Sequence, residues 1–170
     1  MADLLVRLYD LPPLAPHIEA LSAAGVTVRR ALPAERHLVV DWVRGHVVGA
    51  GSAGWADECD VAFARQPLAC FVAVEGAPSA PQALIGFACY EATCRNFFGP
   101  AAVKPDRRRR GVGRALLLAA LHAMRAEGYA YAIIGGVGPA DFYAKTVNAT
   151  EIPNSTPGIY TDLLKKTNEV

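Results

Sequence analysis

The chain has 170 residues, a length at which a single domain is usual and one continuous core can form without metal ions or disulfides. Hydrophobic residues make up 52% of the chain and charged residues 19%, a composition that excludes an intrinsically disordered protein. The formal net charge is +1, from 17 Lys+Arg and 16 Asp+Glu, and this near balance argues against a general nucleic-acid binder.

The N-terminus and the cysteines indicate a cytoplasmic protein without a bound metal. Asp3 and Arg7 interrupt the first apolar residues, which is atypical of a signal peptide, and no apolar run approaches the roughly 20 residues that span a bilayer. No two cysteines form a CxxC pair, so a zinc site is not expected and reduced, buried thiols are. The four cysteines are Cys59, Cys70, Cys89 and Cys94.

The N-terminal third is predicted to contain two strands and three helices. Residues 4–8 read as a short strand, and residues 17–24 read as a helix that ends at Gly25. A strand over 26–32 follows, and then two helices are predicted over residues 34–45 and 55–64, separated by a glycine-rich break at 49–54. The residues of the first of these two helices that should face the core are Leu38, Trp42 and Val43.

The remainder of the chain is predicted to contain most of the sheet. Residues 111–127 form the strongest helix pattern, an unbroken run of helix formers that ends before Gly128. The order of elements is that of an α+β or mixed-sheet α/β domain with helices covering the sheet. Strands are predicted over 68–75, 83–92, 96–103, 130–134 and 159–164, with a hairpin connection over 76–82 and a short helix over 139–146.

The most informative stretch is a basic turn that precedes the long helix. Residues 104–114 contain six basic residues and one acid, a charge of +5, so the rest of the chain sums to −4. A helix N-terminus presents unpaired N–H groups to an anion, and Gly111 and Gly113 remove Cβ atoms where a diphosphate would approach. The turn lacks the Lys-Ser/Thr of a P-loop and the third glycine of a dinucleotide fingerprint. A solvated arginine run in a loop is the alternative from charge alone.

The pattern Val103-x-Pro-x-x-Arg108-x-x-Gly111-x-Gly113 resembles the acyl-CoA binding motif of the GNAT superfamily of N-acyltransferases. The order of elements from about residue 26 onward is also similar to the GNAT fold. The resemblance implies a mixed, mostly antiparallel sheet that is splayed at its central strands and flanked by helices on both faces. Residues 1–170 would form one such domain, with 1–25 as an N-terminal extension of uncertain role.

The resemblance implies acetyl-CoA as the co-substrate. The backbone of the motif would wrap the CoA diphosphate, with the N–H groups of residues 109–114 as donors. The N–H of Val103 would bond the thioester carbonyl and stabilise the developing oxyanion. The implied binding residues are Val103, Arg108, Arg109, Arg110, Gly111, Val112, Gly113 and Arg114.

A second resemblance lies near the C-terminus, where residues 141–145 are similar to the Phe-Tyr-x-Lys helix of the family. The tyrosine of that segment, here Tyr143, would protonate the leaving CoA thiolate. A half-buried tyrosine that only packs the helix on the sheet is the alternative. Two departures stand beside the match: residues 135–138 carry no asparagine for the pantetheine arm, and Asn148-Ala149 replaces the usual Gly-Phe.

The base that deprotonates the acceptor is less evident, because the strand over 96–103 has no carboxylate. Glu91, at the end of the preceding strand, is the nearest candidate, and a solvent-facing strand-end acid is the alternative that we favour. Acceptor specificity should come from the helices over 34–45 and 55–64. The residues considered there are Trp42, Trp55, Asp57, Glu58 and Asp60, although the acids also suit the first turn of a helix.

The resulting expectation is an acetyl-CoA-dependent N-acetyltransferase that acts by direct attack of a primary amine of a small molecule or peptide. A non-catalytic CoA-binding sensor or interaction domain is the alternative. A nucleic-acid binder that uses residues 107–110 is the weakest candidate because the rest of the chain is acidic. No membrane or nucleic-acid partner is expected, and the family resemblance is compatible with a homodimer.

Overall fold

The computed structural model describes residues 1–47, 54–77, 80 and 82–164. Within them, seven strands and five helices of eight or more residues alternate along the chain. The strands are β1 (Leu4–Arg7), β2 (Val26–Arg30), β3 (Cys70–Glu75), β4 (Ala83–Tyr90), β5 (Phe97–Val103), β6 (Tyr131–Ile134) and β7 (Thr150–Glu151). The helices are α1 (Ala15–Ala23), α2 (Arg36–His46), α3 (Trp55–Phe63), α4 (Val112–Ala126) and α5 (Ala140–Val147).

The strands form one sheet in the order β2-β3-β4-β5-β6-β1-β7. Every neighbouring pair is antiparallel except β5 and β6, which run parallel. The parallel pair is also short, because only Phe97 and Phe98 of β5 are in register with β6. β5 then continues to Val103 beyond the end of β6, so the sheet opens between its central strands.

Helices cover both faces of this sheet. An added Cβ at Gly86 of β4 would lie 3.1 Å from the Leu116 side chain, so α4 is pressed closely against that face. Side chains alternate between the faces of a strand, and the next residue, Phe87, contacts Trp42 of α2 with ring centroids 6.1 Å apart. The expected fold class, a mostly antiparallel sheet splayed at its centre and flanked by helices on both faces, is confirmed.

The long helix α4 forms the centre of the core. Its Leu116, Leu117, Leu118, Leu121 and Met124 side chains are at most 1% exposed. Burial of side chains of this size stabilises the fold by about 1.5–3 kcal/mol each. At its C-terminus Gly128 adopts φ +98, which ends the helix as the sequence predicts. None of the helices in the described residues is both long enough and apolar enough to cross a bilayer.

The N-terminal residues are part of the sheet. β1 lies between β6 and β7, with Leu4 opposite Ile134 and Arg7 opposite Tyr131. α1 packs against α4 and β2. The segment that the family resemblance left without a role therefore supplies an inner strand of the sheet, between β6 and the edge strand β7.

Two predictions of local structure are wrong. Residues 159–164 form no strand but a 3-10 turn at Gly158–Tyr160 followed by further turns, because Pro157 lacks an N–H and Gly158 turns the chain at φ +63. Leu38 is 61% exposed, because the buried stripe of α2 is Val39, Val40 and Val43. The predicted break at 49–54 lies almost wholly outside the described residues, as does part of the 76–82 connection.

Candidate active site

A cavity of about 1070 Å³ lies where β5 and β6 separate, and residues from both faces of the sheet line it. Such a gap in a sheet leaves strand-edge N–H and C=O groups without a ladder partner, so it suits a ligand with polar groups. We call the part formed by Lys104, Arg108, Arg109 and Arg114 the cationic side. We call the part formed by Trp42, His46, Trp55 and Phe87 the aromatic side.

The cationic side is built on the N-terminus of α4. Gly111 precedes the helix at φ +84, and Arg109 lies in the same left-handed region at φ +61. In the described part of the chain, no acceptor meets the backbone N–H groups of residues 109–114. These N–H groups and the helix dipole together give the turn a partial positive charge, which favours an anion.

None of the four side chains of the cationic side has an acidic partner among the described residues, whereas the neighbouring Arg107, outside the cavity, has two. Arg107 pairs with Glu75 at 3.0 Å and with Asp106 at 2.9 Å, so its charge is largely compensated. Arg108 donates to the Val103 carbonyl at 3.1 Å, and this bond leaves its charge uncompensated. Four cations therefore face the cavity with no acid in the described lining, an electrostatic environment that suits a diphosphate.

The predicted binding residues divide into two groups. Val103, Arg108, Arg109, Gly111, Gly113 and Arg114 line the cavity. The other two do not: Arg110 is exposed and outside the lining, and Val112 is 1% exposed and lies in the core. Lys104 and Pro105 line the cavity as well, although the motif match did not single them out.

The backbone of Val103 is oriented toward the opening of the sheet. The N–H of Lys104 donates to Ile85 of β4 at 2.8 Å, so the N–H of the preceding residue points to the opposite edge of β5. That edge is the one from which β6 has diverged. The Val103 N–H is therefore positioned to donate to a carbonyl in the cavity.

Tyr143 lines the same cavity from α5. Its ring lies edge-on to Phe98 at 6.3 Å and to Phe142 at 5.1 Å. Burial among these rings raises the pKa of Tyr143 to about 12. The phenol thus keeps its proton over the whole physiological range and remains able to donate it.

Glu91 lies outside this cavity, at a second and smaller one of about 330 Å³. Its carboxylate accepts the backbone N–H of Asn96 and lies 3.7 Å from the Arg65 guanidinium. The side chain is 5% exposed, so the reading of Glu91 as a solvent-facing acid is wrong. The structure does not bring Glu91 together with Tyr143, and its contacts indicate that it holds the turn between β4 and β5.

The acids considered for the acceptor also lie away from the cavity. Asp60 accepts two hydrogen bonds from Arg36, at 2.6 and 2.5 Å, and Glu58 accepts one from Thr93 at 2.6 Å. Asp57 is exposed on α3 and does not line the cavity. Their positions favour structural and helix-end roles over recognition of an amine.

The aromatic side contains a histidine that the sequence analysis left without a role. His46 stacks on Trp42 at 4.7 Å, with the ring planes 12° apart, and its Nδ1 lies 3.0 Å from the Trp42 carbonyl. The spacing of these residues, four positions apart on a predicted helix, is the signal that would have indicated their contact. Phe87 and Phe98 lie on strands and gave no comparable signal.

Three of the cysteines meet in the core although no two are close in the sequence. Cys59 of α3, Cys70 of β3 and Cys89 of β4 are fully buried, and their sulfurs all lie within 4.8 Å of one another. Burial raises the pKa of the Cys89 thiol well above its ordinary value. No fourth Cys, His, Asp or Glu of the described residues joins this group.

Residues 66–146 match the GNAT acetyltransferase domain family. The chain is similar in structure to the GCN5-related glucosamine N-acetyltransferase region of a fungal multi-domain GH3 β-N-acetylglucosaminidase, with 13% identity, a TM-score of 0.68, and coverage of 89% of this chain and 19% of that one. It is also similar to a GCN5-related N-acetyltransferase from Sphaerobacter thermophilus, with 17% identity, a TM-score of 0.65, and coverage of 89% and 48%.

A third similar structure is a GCN5-related N-acetyltransferase from Kribbella flavida, with 18% identity, a TM-score of 0.54, and coverage of 88% of this chain and 53% of that one. The chain therefore spans about half, or less, of the length of these solved proteins. None of the curated proteins matches the sequence.

Proposed function

We propose that this chain, whose residues 66–146 match the GNAT acetyltransferase domain family, is a GNAT enzyme that transfers an acetyl group from acetyl-CoA to a primary amine by direct attack. The observation that carries the proposal is one cavity that joins an uncompensated cationic helix N-terminus to a protonated tyrosine. The first feature suits a nucleotide diphosphate, and the second suits a thiolate leaving group.

The residues of the cationic side fit CoA. The free N–H groups of residues 109–114 would bond the diphosphate, and Lys104 and Arg109 would add long-range attraction and charged donors. Gly113 lines the cavity beside Val103 and Phe142 and presents only backbone to a ligand there. Acetyl-CoA supplies the thioester that is cleaved in the reaction.

The protein groups would act on the two atoms that gain negative charge. The Val103 N–H would donate to the thioester oxygen as the amine nitrogen attacks the carbonyl carbon. The C–N bond forms, the C–S bond breaks, and Tyr143 would give its proton to the departing sulfur. The amine nitrogen loses a proton in the same reaction, which can restore the phenol, so that the products are an amide and a free CoA thiol.

A test of the proposal begins with binding. Saturating acetyl-CoA at about 100 times its Kd should stabilise the fold by about 2.7 kcal/mol and raise the Tm by roughly 5–10 °C. S-acetylpantetheine, which has the thioester but no diphosphate, is the matched control and should shift the Tm much less. An unchanged Tm with acetyl-CoA would contradict the proposal.

Turnover is then measured as release of free CoA thiol across a panel of amines. Acetyl-CoA binding without thiol release from any amine would favour the alternative, a non-catalytic CoA-binding domain. We retain this alternative because the described cavity lining contains no carboxylate. The buried, unpaired cysteines support a reducing, cytoplasmic location as part of the proposal.

A further inference from the structure

The residues that line the cavity indicate which kind of amine acceptor it can bind. Its described residues include no aspartate or glutamate, against four cations from Lys and Arg. A polyamine or a lysine-rich peptide needs carboxylates to replace its water of hydration, and this lining does not offer them.

The aromatic side offers an apolar surface instead. Trp42 and Trp55 are partly buried and keep part of their surface toward the cavity, while Phe87 is fully buried beneath Trp42. Phe98 and Phe142 extend the apolar lining toward Tyr143. Such a surface gains free energy from an apolar or aromatic group at about 25 cal/mol per Å² of apolar area buried.

His46 is placed to act as a base on this side. The Trp42 carbonyl can only accept a hydrogen bond, so the Nδ1 atom that lies 3.0 Å from it carries the ring proton. The neutral ring therefore has its lone pair on Nε2. The stacking contact with Trp42 fixes the plane of the ring.

The position of His46 relative to the proposed reacting atoms follows from the face of the sheet on which its helix lies. Its helix, α2, lies on the Phe87 face of the sheet, and Phe87 pairs with Ala102, the neighbour of Val103. The other histidine of the lining, His17, lies on α1, which packs against α4 on the opposite face. His46 is thus the histidine that shares the aromatic side of the cavity.

We infer that the acceptor is a primary amine carried on an aromatic or apolar body, and that His46 takes the proton from its ammonium group. This inference rests on the proposed acetyl transfer. Nε2 accepts one proton from the R–NH3⁺ group, which leaves R–NH2 with the lone pair that attacks the thioester carbon. The imidazolium then returns that proton to solvent, so the overall reaction yields the amide, the CoA thiol and one proton.

The first part of the test compares amines. We would measure CoA thiol release with 2-phenylethylamine, tryptamine, spermidine and D-glucosamine at equal concentrations of acetyl-CoA. The inference predicts a kcat/KM for the two aryl amines at least tenfold above that for spermidine and glucosamine. A kcat/KM that is equal or higher for spermidine or glucosamine overturns the assignment of the acceptor.

The second part replaces the base. His46→Ala should lower kcat/KM for the better aryl amine about 100-fold, and added imidazole should restore part of the loss. His37→Ala is the matched control, because His37 is an exposed histidine on the same helix that does not line the cavity. A His46→Ala protein with turnover like that of His37→Ala, or one that imidazole does not restore, overturns the role of His46.

The Tm measurement with acetyl-CoA separates this inference from the proposal on which it rests. A Tm rise in the wild type and in both variants, together with no thiol release from any of the four amines, overturns the inference but leaves CoA binding in place. No Tm rise in the wild type removes the proposed function itself. Because both substituted side chains are exposed on α2, the Tm without ligand should change little.

Discussion

The two sides of the cavity hold a ligand by different physical means. The cationic side relies on backbone N–H groups at the start of α4 and on cations that have no acidic partner. The aromatic side relies on the shapes and positions of side chains from α2, α3, β4 and β5. Substitution of one cation should therefore weaken binding to the cationic side by degrees. Substitution of one aromatic side chain should instead change which ligand the aromatic side accepts.

The difference assigns the two sides different tasks. Backbone donors at a helix terminus bind any diphosphate of suitable size, so the cationic side commits the protein to a class of co-substrate. Apolar side chains discriminate by size and by the absence of charge, so in the proposed reaction the aromatic side would select the amine. Tyr143 and Val103 line the same cavity, and in the proposed reaction they would act on the thioester that the amine attacks.

The largest expected effect is on the proton donor between the two sides. Tyr143→Phe should lower kcat by about 100-fold or more, because phenylalanine cannot protonate the departing sulfur. The Tm rise with acetyl-CoA should persist, since the ring still packs on Phe98 and Phe142. Steady-state thiol release together with the Tm shift tests this. Unchanged kcat would remove Tyr143 from the chemistry and leave it a packing residue.

A substitution at the start of α4 should abolish binding on the cationic side. Gly111→Val places a branched side chain at φ +84, which costs about 1–2 kcal/mol of stability and blocks the approach of a diphosphate. Gly128→Val is the control, because Gly128 has φ +98 at the other end of the same helix, away from the cavity. Both variants should have a lower Tm, and only Gly128→Val should keep the rise with acetyl-CoA.

Two adjacent arginines test whether position in the cavity or charge alone governs CoA binding. Arg109 lines the cavity and Arg110 does not, although both are exposed and neither has an ion-pair partner among the described residues. Arg109→Ala should weaken acetyl-CoA binding about tenfold, and Arg110→Ala should weaken it less than threefold. Isothermal titration at two salt concentrations distinguishes the cases. Equal losses would indicate a diffuse electrostatic effect.

The raised pKa of Tyr143 gives a prediction for alkaline pH. Because its folded-state pKa is about 12, above the ordinary value of 10, the phenol keeps its proton in the folded protein as pH rises past 10. Turnover should therefore show no loss due to Tyr143 between pH 8 and 10. Above pH 10 the unfolded chain releases the proton of this tyrosine and the folded chain does not, so the contribution of Tyr143 to the free energy of unfolding falls there. A pH–rate profile with a tyrosine-dependent decline near pH 9 would contradict this.

The smallest effect on turnover is expected at Glu91. Glu91→Ala removes the acceptor of the partly buried Asn96 N–H and the partner of Arg65, which should cost about 1–3 kcal/mol of stability. The kcat should stay within about threefold of the wild type, because Glu91 does not line the main cavity. Urea unfolding and thiol release at 25 °C measure the two effects. A 100-fold loss of kcat at unchanged stability would restore Glu91 as a base.

Much of the cationic side could be predicted from the sequence because its parts are contiguous. Glycine at a positive φ, a run of helix formers and a cluster of arginines are local properties of residues 104–128, and the structure places α4 where they indicate. The sequence did not predict which of the arginines line the cavity. That depends on Glu75, which comes from another strand and compensates Arg107.

The aromatic side could not be predicted in the same way. Trp42 was expected to face the core, and it does so in part, but its contacts with His46 and Phe87 depend on how α2 lies across β4. Glu91 shows the same difficulty, since its place at the end of the strand that precedes residues 96–103 does not bring it into the cavity. The orientation of helices and strand ends across a sheet is set by tertiary packing and not by the local sequence pattern.

The sequence by itself determined the family resemblance, the class of fold and the cationic turn, because each follows from residue types at fixed, short spacings. The tertiary structure alone decided that residues 4–7 complete the sheet, that three distant cysteines meet in the core, and that His46 shares a cavity with Tyr143. These arrangements join residues that are more than ten positions apart in the sequence. They arise from the burial of apolar surface between elements, which no local spacing encodes.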